Sequence, residues 1–336
     1  MIQKPKRVVT RNDVAAKAGV SPAVVSFVLN NSNYVSEEKR SAVLAAVEEL
    51  GYHPNVMAKG LRARKSSNFA YICDNIQEEI FAEVERILVK KDFFLSLNYG
   101  RTDDAFIKML IGSQFQGIFM FSNAFTADQL NFIAGHDIPM VFYKTRNYAN
   151  LNPRIVPVAP DYYGGVSKSV DYLAVKGHTR IGLVPPVKYR TKGLSGDDFR
   201  VKAYVHALKK HKLPVEEANI CLNTQSIDSI CEDVFRMLVG APAAKRVTAL
   251  VIGNDYLAAQ VVQYVKKLGL SVPGDVAIIG SDNSPHASIT SPTLTTIDFS
   301  KKEVAQKAVD KLLSLVDGNL PVEEYIDVNL VIRESA

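Results

Sequence analysis

The chain has 336 residues, of which 47% are hydrophobic and 22% charged, with three cysteines and a formal net charge of +5. This length admits two or three folding units with a substantial core, and this composition excludes an intrinsically disordered chain. No run of eighteen apolar residues occurs, so no membrane span is expected. The opening MIQKPKRVVTRNDVA has no apolar h-region, and Cys73, Cys221 and Cys231 form no CxxC pair. A reduced, cytoplasmic setting is the expectation.

The charge is unevenly placed. Residues 1–65 hold eleven Lys/Arg and five Asp/Glu, a net +6, whereas the rest of the chain holds 29 and 30, a net −1. A solvated basic tail would account for the excess, but the same segment is patterned as helices, which favours a nucleic-acid-binding module.

Thr10 followed three residues later by Asp13 forms a capping box with Asp in place of Glu, and DVAAKA continues as a short helix that Gly19 stops. Ser21 caps a second helix that begins at Pro22. Ser36 is expected to cap a third, SEEKRSAVLAAVEEL, with Glu37 and Glu38 in its first turn and Val43, Ala46, Val47 and Leu50 on one stripe. Three short helices with a tight turn between the first two make a helix-turn-helix unit.

Helical spacing divides the second helix. Val25, Val28 and Leu29 fall at i, i+3 and i+4 and are expected to bury. Pro22, Ala23, Ser26 and Phe27 fall on the opposite side, which a helix-turn-helix reader presents to the major groove. Ser26 can bond a phosphate or a base edge, whereas Ala23 and Phe27 can only make apolar contact, for instance with a thymine methyl. Packing of Phe27 at the edge of the third helix is the alternative at this stage.

After Pro54, Asn55 can cap a segment of one or two turns over 56–62, which Gly60 weakens further. Leu61 stands among Lys59, Arg62, Arg64 and Lys65. An apolar residue on a basic, marginal helix suits a wedge at a minor-groove base step; a plain linker is the alternative.

Beyond residue 66, short apolar strands (FAYIC, FFLSLNY, GIFMFS, PMVFY, RIGLVP, ALVIG, VAIIG) alternate with amphipathic helices such as GGVSKSVDYLAVKG and DYLAAQVVQYVKKLG. That order predicts parallel, doubly wound sheets with ligands at the carboxyl ends of the strands. No GxGxxG, P-loop or GxSxG follows a strand, and the six histidines show no metal-ligand spacing. No catalytic residue, cofactor or metal is therefore expected.

The segment TRNDVAAKAGVSPAVVSFVLNNSNYVSEEKRSAVLAAVEELGYHPNVMAKGL resembles the DNA-binding head and hinge of LacI/GalR-family transcriptional regulators. GHTRIGLV, RVKAY, ALVIGNDYLAAQVV, VPGDVAIIGSDNSP and PTLTTID resemble, more loosely, the effector domain of the same family. The resemblance implies a small all-α helix-turn-helix domain followed by a two-lobed α/β periplasmic-binding-protein-like core. The expected boundaries are 1–54 for the head, 55–65 for the hinge and 66–336 for the core, with lobes of about 66–159 plus 300–326 and 160–298 plus 327–334.

It also implies a homodimer on a pseudo-palindromic operator, working as a repressor in a bacterial cytoplasm, at the nucleoid. The DNA contacts expected in the head are Thr10, Ser21, Pro22, Ala23, Ser26, Phe27 and Asn30. In the hinge they are Asn55, Ala58, Lys59, Leu61 and Arg62. Phe27 stands where family members commonly place a polar base-reading side chain. The ending YIDVNLVIRESA shows no heptads, so a dimer rather than a coiled-coil tetramer is expected.

By the same resemblance, Arg200, Asn254 and Asp282 contact the effector, and Lys144 stands where sugar-binding members often have Asp. An ammonium cannot accept from sugar hydroxyls. Lys144 and Arg200, with Lys188, Arg190 and Lys192 nearby in sequence, therefore suggest an anionic effector, a sugar phosphate or sugar acid; Lys144 pointing into solvent is the alternative. The chain has no Trp, so Tyr189 or Tyr163 would have to serve as an aromatic platform. Two other functions stay open: the same regulator answering to a protein co-regulator, and a sugar-processing enzyme using Lys144, Asp282 and His286.

Overall fold

The computed structural model describes residues 9–30, 32, 34–52, 67–74, 78–122, 124–145, 148–186, 199–322 and 324–336. The chain divides into two compact units, Met1–Ser67 and Asn68–Ala336.

The first unit contains α1 (Arg11–Ala18), α2 (Pro22–Asn30) and α3 (Glu37–Leu50). The capping box forms as expected: Thr10 Oγ1 accepts from the Asp13 N–H, and the Asp13 carboxylate accepts from the Thr10 N–H. Gly19 ends α1 at φ +65° and Gly51 ends α3 at +59°, a left-handed backbone that glycine adopts without strain. Ser36 occupies the N-cap position of α3, but its side chain makes no capping bond. Glu37 and Glu38 still complement the positive end of that helix. Val14, Val25 and Val43, one from each helix, are fully buried together with Ala15, Val28 and Ala46. The stripes read from the sequence are the ones that meet.

The second unit holds two sheets. The chain runs β1 (Asn68–Cys73), α4 (Glu78–Val89), β2 (Phe94–Tyr99), α5 (Asp104–Gly112), β3 (Ile118–Phe121), α6 (Ala127–Ala134), β4 (Met140–Tyr143) and β5 (Ile155–Pro160). It then runs α7 (Tyr162–Val175), β6 (Ile181–Val184), α8 (Phe199–Lys210), α9 (Ile227–Phe235), β7 (Ala249–Ile252) and α10 (Asp255–Lys267). It finishes with β8 (Ala277–Ser281), α11 (Pro285–Ile289), β9 (Thr295–Phe299), α12 (Lys301–Val316), β10 (Tyr325–Ile326) and β11 (Val328–Val331).

One sheet has the order β10-β5-β4-β3-β1-β2 and the other β11-β9-β8-β7-β6. All pairings are parallel except β11 with β9. Parallel strands need both faces covered, and their all-apolar stretches (IFMF, MVFY, IGLV, ALVI) are buried throughout. One apolar cluster continues from the first sheet (Phe119, Val141) to the second (Leu183, Val251, Ile279).

Four strands lie outside the sequence expectation. β5, IVPVAP, carries two prolines, which argue against a strand interior. It is tolerated because β10 pairs only with Ala159 and Pro160, leaving Pro157 beside an open edge. The buried Lys311 donates to Pro157 O at 2.9 Å. β9, TTIDF, is masked by its threonines, and β10 and β11 are short edge strands.

Candidate operator-reading face and effector cleft

In the head, α2 carries no ionisable residue. Pro22, Ala23 and Asn30 are exposed, Ser26 and Phe27 half-buried. Val24 and Leu29 pack around the core of Val14, Val25 and Val43; among the described residues Phe27 is not part of that packing. Ser21 Oγ accepts from Val24 N at 3.4 Å, and the Asn30 amide donates to Ser26 O at 2.8 Å and Ser26 Oγ at 3.2 Å. Thr10 Oγ1 donates to the Asp13 carboxylate at 2.6 Å. The hinge residues Asn55, Ala58, Lys59, Leu61 and Arg62 lie outside the described residues, as does Tyr189.

In the core, carboxyl ends of strands from both sheets converge. Tyr143, the last residue of β4, and Tyr162, the first of α7, share a buried hydroxyl–hydroxyl bond of 2.6 Å. The first belongs to one sheet and the second to a helix packed on the other. Burial pushes both phenols above their ordinary pKa, and the carboxyl of Asp282 adds to the effect. The Arg200 guanidinium lies 4.6 Å above the Tyr162 ring and is 5% exposed. Loss of water strengthens such a contact. Beside them is a cavity of about 10 Å³, roughly one water, lined by Tyr162, Arg200, Gly253 and Ser281 among others.

Asp282 follows β8 with φ +96°, a conformation that costs a non-glycine residue on the order of 1–3 kcal/mol. It is held there by its own N–H, which donates to Ile297 O at 2.8 Å, and by its carbonyl, which accepts from Lys301 Nζ. Burial, and then the neighbouring carboxyl of Asp255, push the Asp282 pKa up to about 7; Arg200 and Lys301 pull the other way. Asp255 is fully buried and accepts from Thr296 Oγ1 at 2.6 Å and Ser284 N at 2.7 Å. Burial raises it to about 6 despite those bonds. A Cβ on Gly280 would meet Asp255 Oδ1 at 2.2 Å, so glycine there leaves room for the carboxylate.

Of the five effector-contacting residues expected, Arg200 and Asp282 come together. Asn254 is the N-cap of α10, with Oδ1 accepting from Leu257 N at 2.8 Å; its neighbour Asp255 reaches into the network. Lys144 is half-buried, with Nζ 5.7 Å from the Phe199 ring and 5.8 Å from the Tyr325 ring. Tyr163, considered as an aromatic platform, bonds His206 on an exposed face; Tyr162 is the ring in the cleft.

Sequence reasoning passed over Tyr143, Tyr162 and Asp255. It also passed over Asp74 and Ser122, bonded to each other at the ends of β1 and β3. That is where the strand order of the first sheet reverses, the usual ligand crevice of such sheets, and the reversal was the available signal. Among the described residues no group of His, Cys, Asp and Glu is placed to hold a metal, and no helix is long and apolar enough to cross a membrane.

A helix-turn-helix head on a chain whose core joins two parallel α/β sheets defines the class of ligand-responsive DNA-binding regulators. Residues 10–55 match the model of bacterial regulatory proteins of the lacI family, and residues 170–336 match that of a periplasmic binding protein-like domain. The chain is 30% identical to the HTH-type transcriptional repressor PurR of Proteus mirabilis, over 97% of this chain and 96% of the relative. It is also 30% identical to catabolite control protein A of Priestia megaterium, over 86% and 87%. In fold it matches the Lac repressor dimer bound to operator and the anti-inducer ONPF, with a TM-score of 0.81 at 22% identity, covering 98% and 99% of the two chains. The chain belongs to the LacI family and is a DNA-binding transcriptional repressor, not an enzyme.

Proposed function

We propose that a small anionic carbohydrate derivative, a sugar phosphate or sugar acid, controls this repressor from the cleft between its lobes, with Lys144, Tyr189, Arg200, Asn254 and Asp282 as contacts. The observation that supports this reading is the setting of two cations that follow or pack on the ends of core strands. Lys144, from the end of β4, lies by the ring of Phe199, and the next residue, Arg200, is buried over Tyr162. Both side chains only donate, and a phosphate or carboxylate only accepts. The solved CelR–cellobiose complex, a neighbour in fold with a TM-score of 0.70 at 24% identity, supports a carbohydrate frame for the ligand.

A dimer places two heads on a pseudo-palindromic operator. Thr10, Ser21, Pro22, Ala23, Ser26, Phe27 and Asn30 contact each half-site, and Asn55, Ala58, Lys59, Leu61 and Arg62 contact its centre. The effector shifts the equilibrium between lobe arrangements by its differential affinity for them, and operator affinity follows.

A thermal-shift series with neutral sugars, sugar phosphates and sugar acids at matched ionic strength tests the ligand class. Anionic compounds should raise the melting temperature; a response to neutral sugars alone would overturn the assignment. Operator binding should fall steeply with salt, and Leu61→Ala should weaken it beyond any loss of stability. Footprints without sequence preference on genomic fragments would remove the DNA contacts proposed here.

A further inference from the structure

The helix positioned to read bases is short of the groups that usually read them. PAVVSFVLN contains no Arg, Lys, Gln, Asp or Glu. Its few polar side chains and that of its cap already make bonds within the head: Ser21 Oγ accepts from Val24 N, and the Asn30 amide donates to Ser26 O and Oγ. What α2 turns outward near its N-terminus is Pro22 and Ala23, with Phe27 one turn on, half-buried and, among the described residues, apart from the packing of the head core.

The edges of base pairs in the major groove are hydrogen-bonding atoms, with one apolar exception, the C5-methyl of thymine. An aromatic ring pressed on a G·C edge strips water from donors and acceptors and returns no bonds, whereas pressed on a thymine methyl it buries apolar surface on both sides.

We infer that α2 reads its half-site through C5-methyl groups, with Phe27 and Ala23 as the contacting residues, so that thymine is specified by its methyl and not by hydrogen bonds. This rests on the placement of α2 in the major groove proposed above. Because 5-methylcytosine carries its methyl at the same position of the groove, the same surface accepts it where it discriminates against cytosine. Operator affinity is then responsive to cytosine methylation at those positions. The Lys and Arg residues flanking α2 supply phosphate attraction that is indifferent to sequence.

The test uses the full chain. Selection from random duplex DNA defines the consensus, and each thymine in a half-site is then replaced by uracil, which removes the methyl and leaves every hydrogen-bonding atom in place. Affinity should fall about fourfold at each methyl that is read, in line with burial of one carbon. At the same positions 5-methylcytosine should bind more tightly than cytosine by a similar factor. Phe27→Leu should keep the thymine-over-uracil preference and Phe27→Ser should bring it near unity at one position. Phe27→Arg should move that position toward guanine.

A consensus bound equally well with uracil throughout would overturn the methyl code alone. A uracil effect that survives in Phe27→Ser and in Ala23→Gly would overturn the assignment to α2. A selection that returns no consensus would overturn the operator reading and the code with it.

Discussion

In the head, α2 carries no charge and the ions are exposed on the other helices; in the core, ions lie inside and aromatic rings frame them. Lys17 and Glu49 pair across α1 and α3 at 2.5 Å, and both side chains are exposed to water. Arg200 and Asp255 are buried and Asp282, half-buried, interacts electrostatically with both. The same charges have different consequences in the two places. Solvent screens the first pair almost completely, so it steers and solubilises. Burial forces the second set to shift one another's proton affinity, so each side chain there depends on the others.

Removing Asp255 should expose that dependence most strongly. Asp255→Ala leaves the buried Thr296 hydroxyl and Ser284 N–H without their acceptor and opens a void beside Gly280. A loss of roughly 3 kcal/mol is expected for the core, read by urea unfolding, with the head unaffected. A loss below about 1 kcal/mol would mean that the network contributes little.

Acidity probes the same group of side chains. Asp282 and Asp255 are raised above the ordinary carboxylate value of 3.8 to about 7 and about 6, so the folded core holds protons that the unfolded chain has released. Their contribution to stability is complete below about pH 4 and is lost as pH rises through about 7. His178, lowered by burial, works in the opposite sense, so the difference between variant and wild type is the readout. Asp282→Asn removes one titrating carboxyl and relieves Asp255 of its charged neighbour. The decline in core stability between pH 5 and 8 should shrink by roughly half or more. An unchanged slope would show that Asp282 does not contribute to it.

The two regions also differ in how much of them the sequence discloses. The head is legible because its determinants are local: the Thr10–Asp13 box, Gly19 and Gly51, and the i, i+3, i+4 spacing of Val25, Val28 and Leu29 each act within one or two turns. The cleft is assembled from residues far apart in the chain. Tyr143 meets Tyr162 only because β4 ends where α7 begins in space, and Asp255 meets Thr296 across 41 residues. Neither pairing has a local pattern. Asn254, taken as a contact from the family resemblance, also has a local role that the sequence alone could have supplied, as the cap of α10. Strand β5 was hidden by its prolines, of which Pro157 lies beside an open edge.

The smallest effects separate the two regions most cleanly. Tyr143→Phe deletes one hydroxyl from a buried bond that joins the two halves of the core and leaves the Tyr162 oxygen without that partner, so a cost of about 1 kcal/mol is expected. Lys17→Ala deletes a whole ion pair that is geometrically shorter but exposed, and should change head stability by no more than about 0.5 kcal/mol. Both are measured by denaturant unfolding, and the order matters more than either value. If the exposed ion pair proved the costlier loss, burial would not be what distinguishes the cleft, and the head would draw stability from its surface charges as well as from its apolar core.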